Sequence, residues 1–332
     1  MRDVIMLIVS LGIILIGAEA FTNSIEWLGR KLKLGVGAVG SILAAVGTAL
    51  PETIVPIIAF LGFKEGTEGA DIGIGAILGA PFMLATLAFF ITGLAALLSR
   101  RTNRPLKLDA KVVQRDLKFF LVVYTIAILA SFLGNQFYKT LAAGFLILAY
   151  LIYVLLTLSS SKGGHQEEKL ASLYVARGVN NPTMASVILQ IFLALIAILF
   201  GAHRFVNAVQ PIAVSLGIPV FVLSLVITPV ATELPEKFNS VLWILRGKDT
   251  LALGNLTGAM VFQSSVIPAI GIALTPWKLD ILALWSALLA LGSAMIPFYS
   301  LRRREVIHPS ALLMGGIFYA IFILSMLRFQ IQ

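Results

Sequence analysis

Long apolar runs alternate with short polar breaks along the whole 332-residue chain. Runs of this length can cross a hydrocarbon core of about 30 Å as helices. The pattern predicts ten spans, near residues 4–29, 35–61, 73–98, 117–134, 138–158, 185–208, 217–244, 250–274, 279–300 and 308–328. A polar stretch with Ser159-Ser160-Ser161, Gly163-Gly164 and mixed charge divides them into five and five.

The two halves repeat each other. Gly17-Ala18-Glu19-Ala20-Phe21-Thr22-Asn23 recurs as Gly201-Ala202-His203-Arg204-Phe205-Val206-Asn207, and the same offset of 184 carries Thr48-Ala49-Leu50-Pro51-Glu52 onto Thr232-Glu233-Leu234-Pro235-Glu236. An odd number of spans per copy makes the second copy enter the membrane from the opposite side, an inverted repeat. The expected organisation is a first five-helix repeat over 1–158, a cytoplasmic linker over 159–183 too short for a regulatory domain, and a second, inverted five-helix repeat over 184–332. The first span, despite Arg2 and an Ala18-Glu19-Ala20 end, then belongs to the folded unit rather than to a cleaved leader.

Composition agrees with an all-α integral membrane protein: 59% of residues are hydrophobic, 12% are charged, and mean hydropathy is +0.97. The net charge of +9 does not point to nucleic acid, because the basic residues fall between spans. With both termini outside, the inside loops hold 18 of the 25 Lys and Arg residues, so N-out/C-out in the cell membrane is the orientation expected. The basic stretch from Arg100 to Lys118 reads as an orientation signal, with a surface helix against anionic headgroups as the alternative. There is no cysteine, which excludes disulfides and thiolate metal sites.

The chemistry lies in the duplicated motif. An acid inside a membrane helix costs about 2.5–3.5 kcal/mol on insertion scales, so two at equivalent places point to a cation site. Pro51 and Pro235 each remove a backbone donor and loosen the helix beside Glu52 and Glu236, freeing carbonyl oxygens. Thr48 and Thr232, four residues earlier on the same face, add oxygen, and such sets suit hard cations. Inversion places Glu52 and Glu236 face to face near the midplane, and puts their fellow equivalents Glu19 and His203 in opposite leaflets as interface or gate residues. The following span of each copy carries a small-residue stripe, Gly75-Ala76-Ile77-Leu78-Gly79 and Gly254-Asn255-Leu256-Thr257-Gly258, which brings it close to the site and presents Asn255 and Gln263.

These paired motifs resemble the two alpha-repeats of the calcium/cation antiporter superfamily, over nearly the whole chain. The resemblance implies a central site between the second, third, seventh and eighth spans. It also implies alternating access by movement of the first and sixth, with Glu52 and Glu236 as central Ca²⁺ ligands and Thr48 and Thr232 as oxygen donors. The transported ions would be Ca²⁺ with Na⁺ or H⁺, no cofactor is expected, and a monomer would suffice for transport. Sodium/calcium members usually carry Gly-Thr-Ser-Leu-Pro-Glu and Gly-Asn-x-x-Gly-Ser-Asn-x-x-Asn. This chain departs at Ala49, Glu233, Ala76, Ala80, Ala259, Pro81, Met260, Leu84 and Gln263. Fewer neutral ligands favour proton coupling or an altered Na⁺ stoichiometry.

Glu233 is either a further ligand or the i,i+4 partner of Lys237. Lys237 itself either occupies a coupling-ion position, pairs with Glu233, or snorkels toward Arg246. The competing functions are an antiporter for Mn²⁺ or a monovalent ion, and a degenerate transporter acting as sensor or scaffold. A membrane enzyme has no support, since His165, His203 and His308 are scattered and no zinc or nucleotide motif is present.

Overall fold

The computed structural model describes residues 2–32, 49–62, 67–100, 103–160, 170–217 and 220–331. Among these there are helices and no strands. The helices are α1 (Arg2–Lys31), α2 (Leu50–Gly62), α3 (Thr67–Met83), α4 (Phe89–Arg100), α5 (Ala110–Leu129), α6 (Gln136–Ser160) and α7 (Met184–Leu216). They continue as α8 (Val220–Thr232), α9 (Leu234–Leu245), α10 (Asp249–Leu274), α11 (Ile281–Arg304) and α12 (Pro309–Ile331). Among the described residues seven helical stretches are long and apolar enough to cross a membrane.

Their burial separates centre from periphery. In the apolar stretches of Asp71–Arg100 and Asp249–Leu274, 83% of residues are buried, against 22–28% for α1, α6, α7 and α12. The peripheral helices turn Ile8, Leu148, Phe192 and Leu324 outward, an apolar exterior that suits lipid and not water. The protein is an integral, multi-pass membrane protein.

Several boundaries differ from the sequence expectation, among them that of the sixth span, expected over 185–208, which runs on as α7 to Leu216. The span expected over 217–244 is two helices, because Pro229 sits inside α8, Pro235 lies in the first turn of α9, and the chain turns at Glu233 (φ −85°, ψ 9°) between them. Residues 103–109 are not helical, so no surface helix forms there. Leu106 N–H bonds the Ile307 carbonyl (2.8 Å), Lys107 N–H bonds Asp249 (2.7 Å), and Asp109 caps the start of α5. The fourth span, expected from residue 117, begins seven residues earlier at Ala110 for the same reason: Asp109 supplies the cap.

α3 and α4 form one continuous rod through a π-helical turn, Leu84–Ala88. Such a turn frees carbonyl groups. Ser293 Oγ donates to the Ala85 carbonyl at 2.5 Å, and the backbone of Gly315 lies directly on that of Thr86.

α1 and α7 pack along their length, with Gly17 against Ala194 and Ile198 and Gly201 against Ser10 and Ile14. Each contact is the other shifted by 184 residues. Residues 170–181 strap onto this pair: Trp27 Nε1 (2.9 Å) and Asn23 Nδ2 (3.3 Å) donate to the Ala171 carbonyl, and Lys31 Nζ donates to Asn181 (2.7 Å). Glu19 also meets this segment, accepting from the Tyr174 hydroxyl at 2.7 Å.

Candidate functional site

The interior of the bundle is built from a ring of packed elements: α2 on α3, α3 on α8, α8 on α9, α9 on α10, and α10 back on α2 and α3. The glycine stripe makes the α3–α8 step possible. A Cβ on Gly75 would stand 2.7 Å from the Phe221 carbonyl oxygen, and one on Gly79 would collide with the Leu225 carbonyl and Pro229.

Polar side chains concentrate inside this ring. Glu52 on α2 is 2% exposed and Glu233, at the α8–α9 turn, is fully buried. Lys237, one turn along α9, is also buried. Its Nζ lies 3.4 Å from Glu233 Oε2 and donates to the Pro229 carbonyl at 3.3 Å. The ammonium therefore points back across the helix break, away from Arg246, and does not snorkel. On α10, Asn255 Nδ2 donates to Ser240 Oγ at 3.4 Å, and Ser240 Oγ in turn donates to the Ala252 carbonyl at 3.1 Å. Gln263 is fully buried, and neither its amide nitrogen nor its oxygen has a hydrogen-bond partner among the described residues.

Of the residues singled out in the sequence, Thr48 lies outside the described residues, and Thr232 and Glu236 are described by backbone alone, Thr232 closing α8 and Glu236 in the first turn of α9. Whether Glu52 and Glu236 face each other therefore lies outside what is described. Glu52, Glu233, Lys237, Asn255 and Gln263 come from α2, α9 with its N-terminal turn, and α10, and both α2 and α9 pack on α10. Among the described residues no three acidic or imidazole side chains converge on one point. At the positions of departure, Ala49, Ala76, Ala80, Ala259, Met260 and Leu84 are buried in apolar core.

Sequence reading missed Ser240, although its spacing of four from Glu236 was available, and Ser224, buried on α8 beside Gly75 with no partner among the described residues. It also missed Asp116, which looked like part of a basic loop. Asp116 is fully buried on α5, where it accepts from Thr257 Oγ1 of α10 at 2.9 Å and pairs with Arg115 at 3.3 Å.

A multi-pass helical bundle with a helix broken at Glu233 and buried carboxylates has the features of a membrane transport protein. The chain belongs to the sodium/calcium exchanger protein family, whose profile matches residues 3–159 and 186–330. It is 27% identical to CaxA of Alkalimonas amylolytica, over 97% of this chain and 98% of that protein. It is 24% identical to the sodium/calcium exchanger MaX1 of Methanosarcina acetivorans, over 77% and 79%. The solved H⁺/Ca²⁺ exchanger CAX shares the fold with a TM-score of 0.78 at 18% identity, covering 98% of this chain and 87% of that one. The sodium-calcium exchanger NCX_Mj does so with 0.64 at 20% identity, covering 97% of each. The family and these relatives are named as exchangers and antiporters, that is, as transporters.

Proposed function

We propose that the protein is a secondary active antiporter of the cell membrane that exchanges Ca²⁺ for Na⁺ or H⁺ by alternating access. Its ten spans would form two inverted five-helix repeats with both termini outside. Glu52 and Glu236 would bind the transported cation, with oxygen from Thr48, Thr232, Asn255 and Gln263. The inorganic cations are substrates, and a monomer would suffice.

The observation that carries this reading is the buried carboxylate of Glu52, whose motif recurs at Glu236, together with the buried Gln263 amide, which has no hydrogen-bond partner among the described residues. Leaving a buried polar group unmatched costs about 1–3 kcal/mol, so the fold retains Gln263 at a cost that binding of an ion or its water would offset. The reciprocal glycine contacts support α1 and α7 moving as one unit against the ring. Two packed helices with the same interface seen from both ends can shift without losing it.

The test is Ca²⁺ flux in proteoliposomes, driven in turn by an outward Na⁺ gradient and an outward proton gradient. Flux under one gradient assigns the coupling ion. Absence of flux under both, with folded protein, overturns Ca²⁺ antiport and leaves another cation or a degenerate transporter.

A further inference from the structure

The two copies of the site motif differ by one pair of charges. At the shift of 184, Ala49 and Thr53 of the first copy correspond to Glu233 and Lys237 of the second. The backbone is the same in both places: Thr53 N–H donates to the Ala49 carbonyl at 3.2 Å, and Lys237 N–H donates to the Glu233 carbonyl at 3.1 Å. In the first copy the side chain closes on itself, with Thr53 Oγ1 donating to the Ala49 carbonyl at 2.8 Å. The fold thus builds this turn with an alanine and a threonine and needs no charge to do so.

The second copy nevertheless buries both a carboxylate and an ammonium. Two ions taken out of solvent are a poor source of stability, because desolvation consumes most of their attraction. What the pair does supply is a cation held by oxygen. The Lys237 ammonium rests between a carboxylate oxygen of Glu233 and the Pro229 carbonyl, and that carbonyl already accepts Glu233 N–H at 3.1 Å. A carboxylate plus a carbonyl at a helix break is the ligand set a small monovalent cation would use.

The geometry points to Lys237 as a tethered cation that fills one monovalent-ion position of the second repeat, so that each cycle moves one fewer diffusible Na⁺ or H⁺. This rests on the antiport reading above. Glu233 and Lys237 cancel, which leaves the charges of Glu52 and Glu236 for the transported ions. Removing the ammonium alone leaves Glu233 to recruit a diffusible cation in its place.

The experiment compares wild type, Lys237→Gln and the double variant Glu233→Gln/Lys237→Gln in proteoliposomes, reading charge moved per Ca²⁺ from the reversal potential. Lys237→Gln is expected to differ from wild type by one elementary charge per Ca²⁺, and the double variant to return to the wild-type value. In parallel, the detergent-solubilised proteins are melted in NaCl against choline chloride and across pH. The single variant should depend more steeply on Na⁺ or on pH than wild type and the double variant, which keep only the dependence due to Glu52 and Glu236. Equal charge counts in all three, with no gain in ion-dependent melting, would overturn the assignment and make the pair a structural rivet. If wild type shows no Ca²⁺ flux at all, the antiport reading fails first. The melting comparison then still decides whether Lys237 stands in for an ion.

Discussion

The backbone of Gly17 lies directly against Ile198: a Cβ on Gly17 would stand 2.9 Å from Ile198 Cγ1 and 3.2 Å from both the Ala194 carbonyl oxygen and the Ile198 nitrogen. Gly201 repeats the contact on Ile14 at 2.8 Å, Ser10 O at 3.0 Å and Ile14 N at 3.2 Å. Neither glycine is needed for its own backbone conformation, since both are in mid-helix. They are needed so that α1 and α7 can touch.

Gly17→Ala and Gly201→Ala should therefore destabilise by similar amounts. Overpacking costs about 1–3 kcal/mol and outweighs the gain of about 1 kcal/mol from replacing a helical glycine. Gly12, on the same helix with nothing within 4 Å of a built Cβ, supplies the control. Gly12→Ala should be neutral or stabilising when the three variants are melted in detergent.

Glu52→Gln keeps shape and removes charge. Under the proposed function it should reduce Ca²⁺ flux to background while leaving the melting temperature near that of wild type, and Glu236→Gln should do the same. Retained transport in either variant would remove that residue from the site.

Asp249 is fully buried in the first turn of α10 and accepts from Arg100 of α4 and from Lys107 N–H at 2.7 Å, whereas the Arg100 side chain is 24% exposed. The two truncations should therefore be unequal. Arg100→Ala strands a buried carboxylate and should cost about 3 kcal/mol or more. Asp249→Ala leaves an arginine able to turn toward solvent and should cost less. Unfolding of the two variants side by side gives the order, and the reverse order would contradict it.

Gln190 holds the strap to the helix pair. Its Nε2 donates to the Ala20 carbonyl (2.9 Å) and to Asn23 Oδ1 (3.0 Å), while its Oε1 accepts Val175 N–H (3.0 Å). Gln190→Leu leaves those groups unmatched, at about 1–3 kcal/mol for each buried one. Hydrogen exchange at Val175 should accelerate by at least tenfold relative to amides in α10. Unchanged protection would show that the apolar contacts of Trp27, Leu173 and Val187 hold the strap by themselves.

Much of this protein was legible before any tertiary structure. Apolar run length gave the helices of the bundle, because in a bilayer every backbone group must be satisfied within its own segment. The shift of 184 exposed Glu52 and Glu236 as site candidates with Glu233 beside them, and the small-residue spacing predicted that Gly75 and Gly79 mark a close helix approach. The sequence could not show which way Lys237 turns, since pairing with Glu233, filling an ion position and snorkelling all satisfy the same spacing. It also grouped Asp116 with the basic residues beside it, because burial of a residue near a helix end depends on what packs over it.

Residue order alone therefore determined that the chain is a helical membrane protein with a duplicated acidic motif, since those properties follow from local hydrophobicity and from self-similarity. Tertiary structure decided the rest. The break at Glu233 directs the Lys237 ammonium onto Pro229, the π-helical turn at Leu84–Ala88 is accepted because Ser293 and Gly315 meet its carbonyls, and Gln263 is left without partners among the described residues. Each of these depends on which groups a neighbouring helix brings within hydrogen-bond reach, and no pattern along a single segment encodes that.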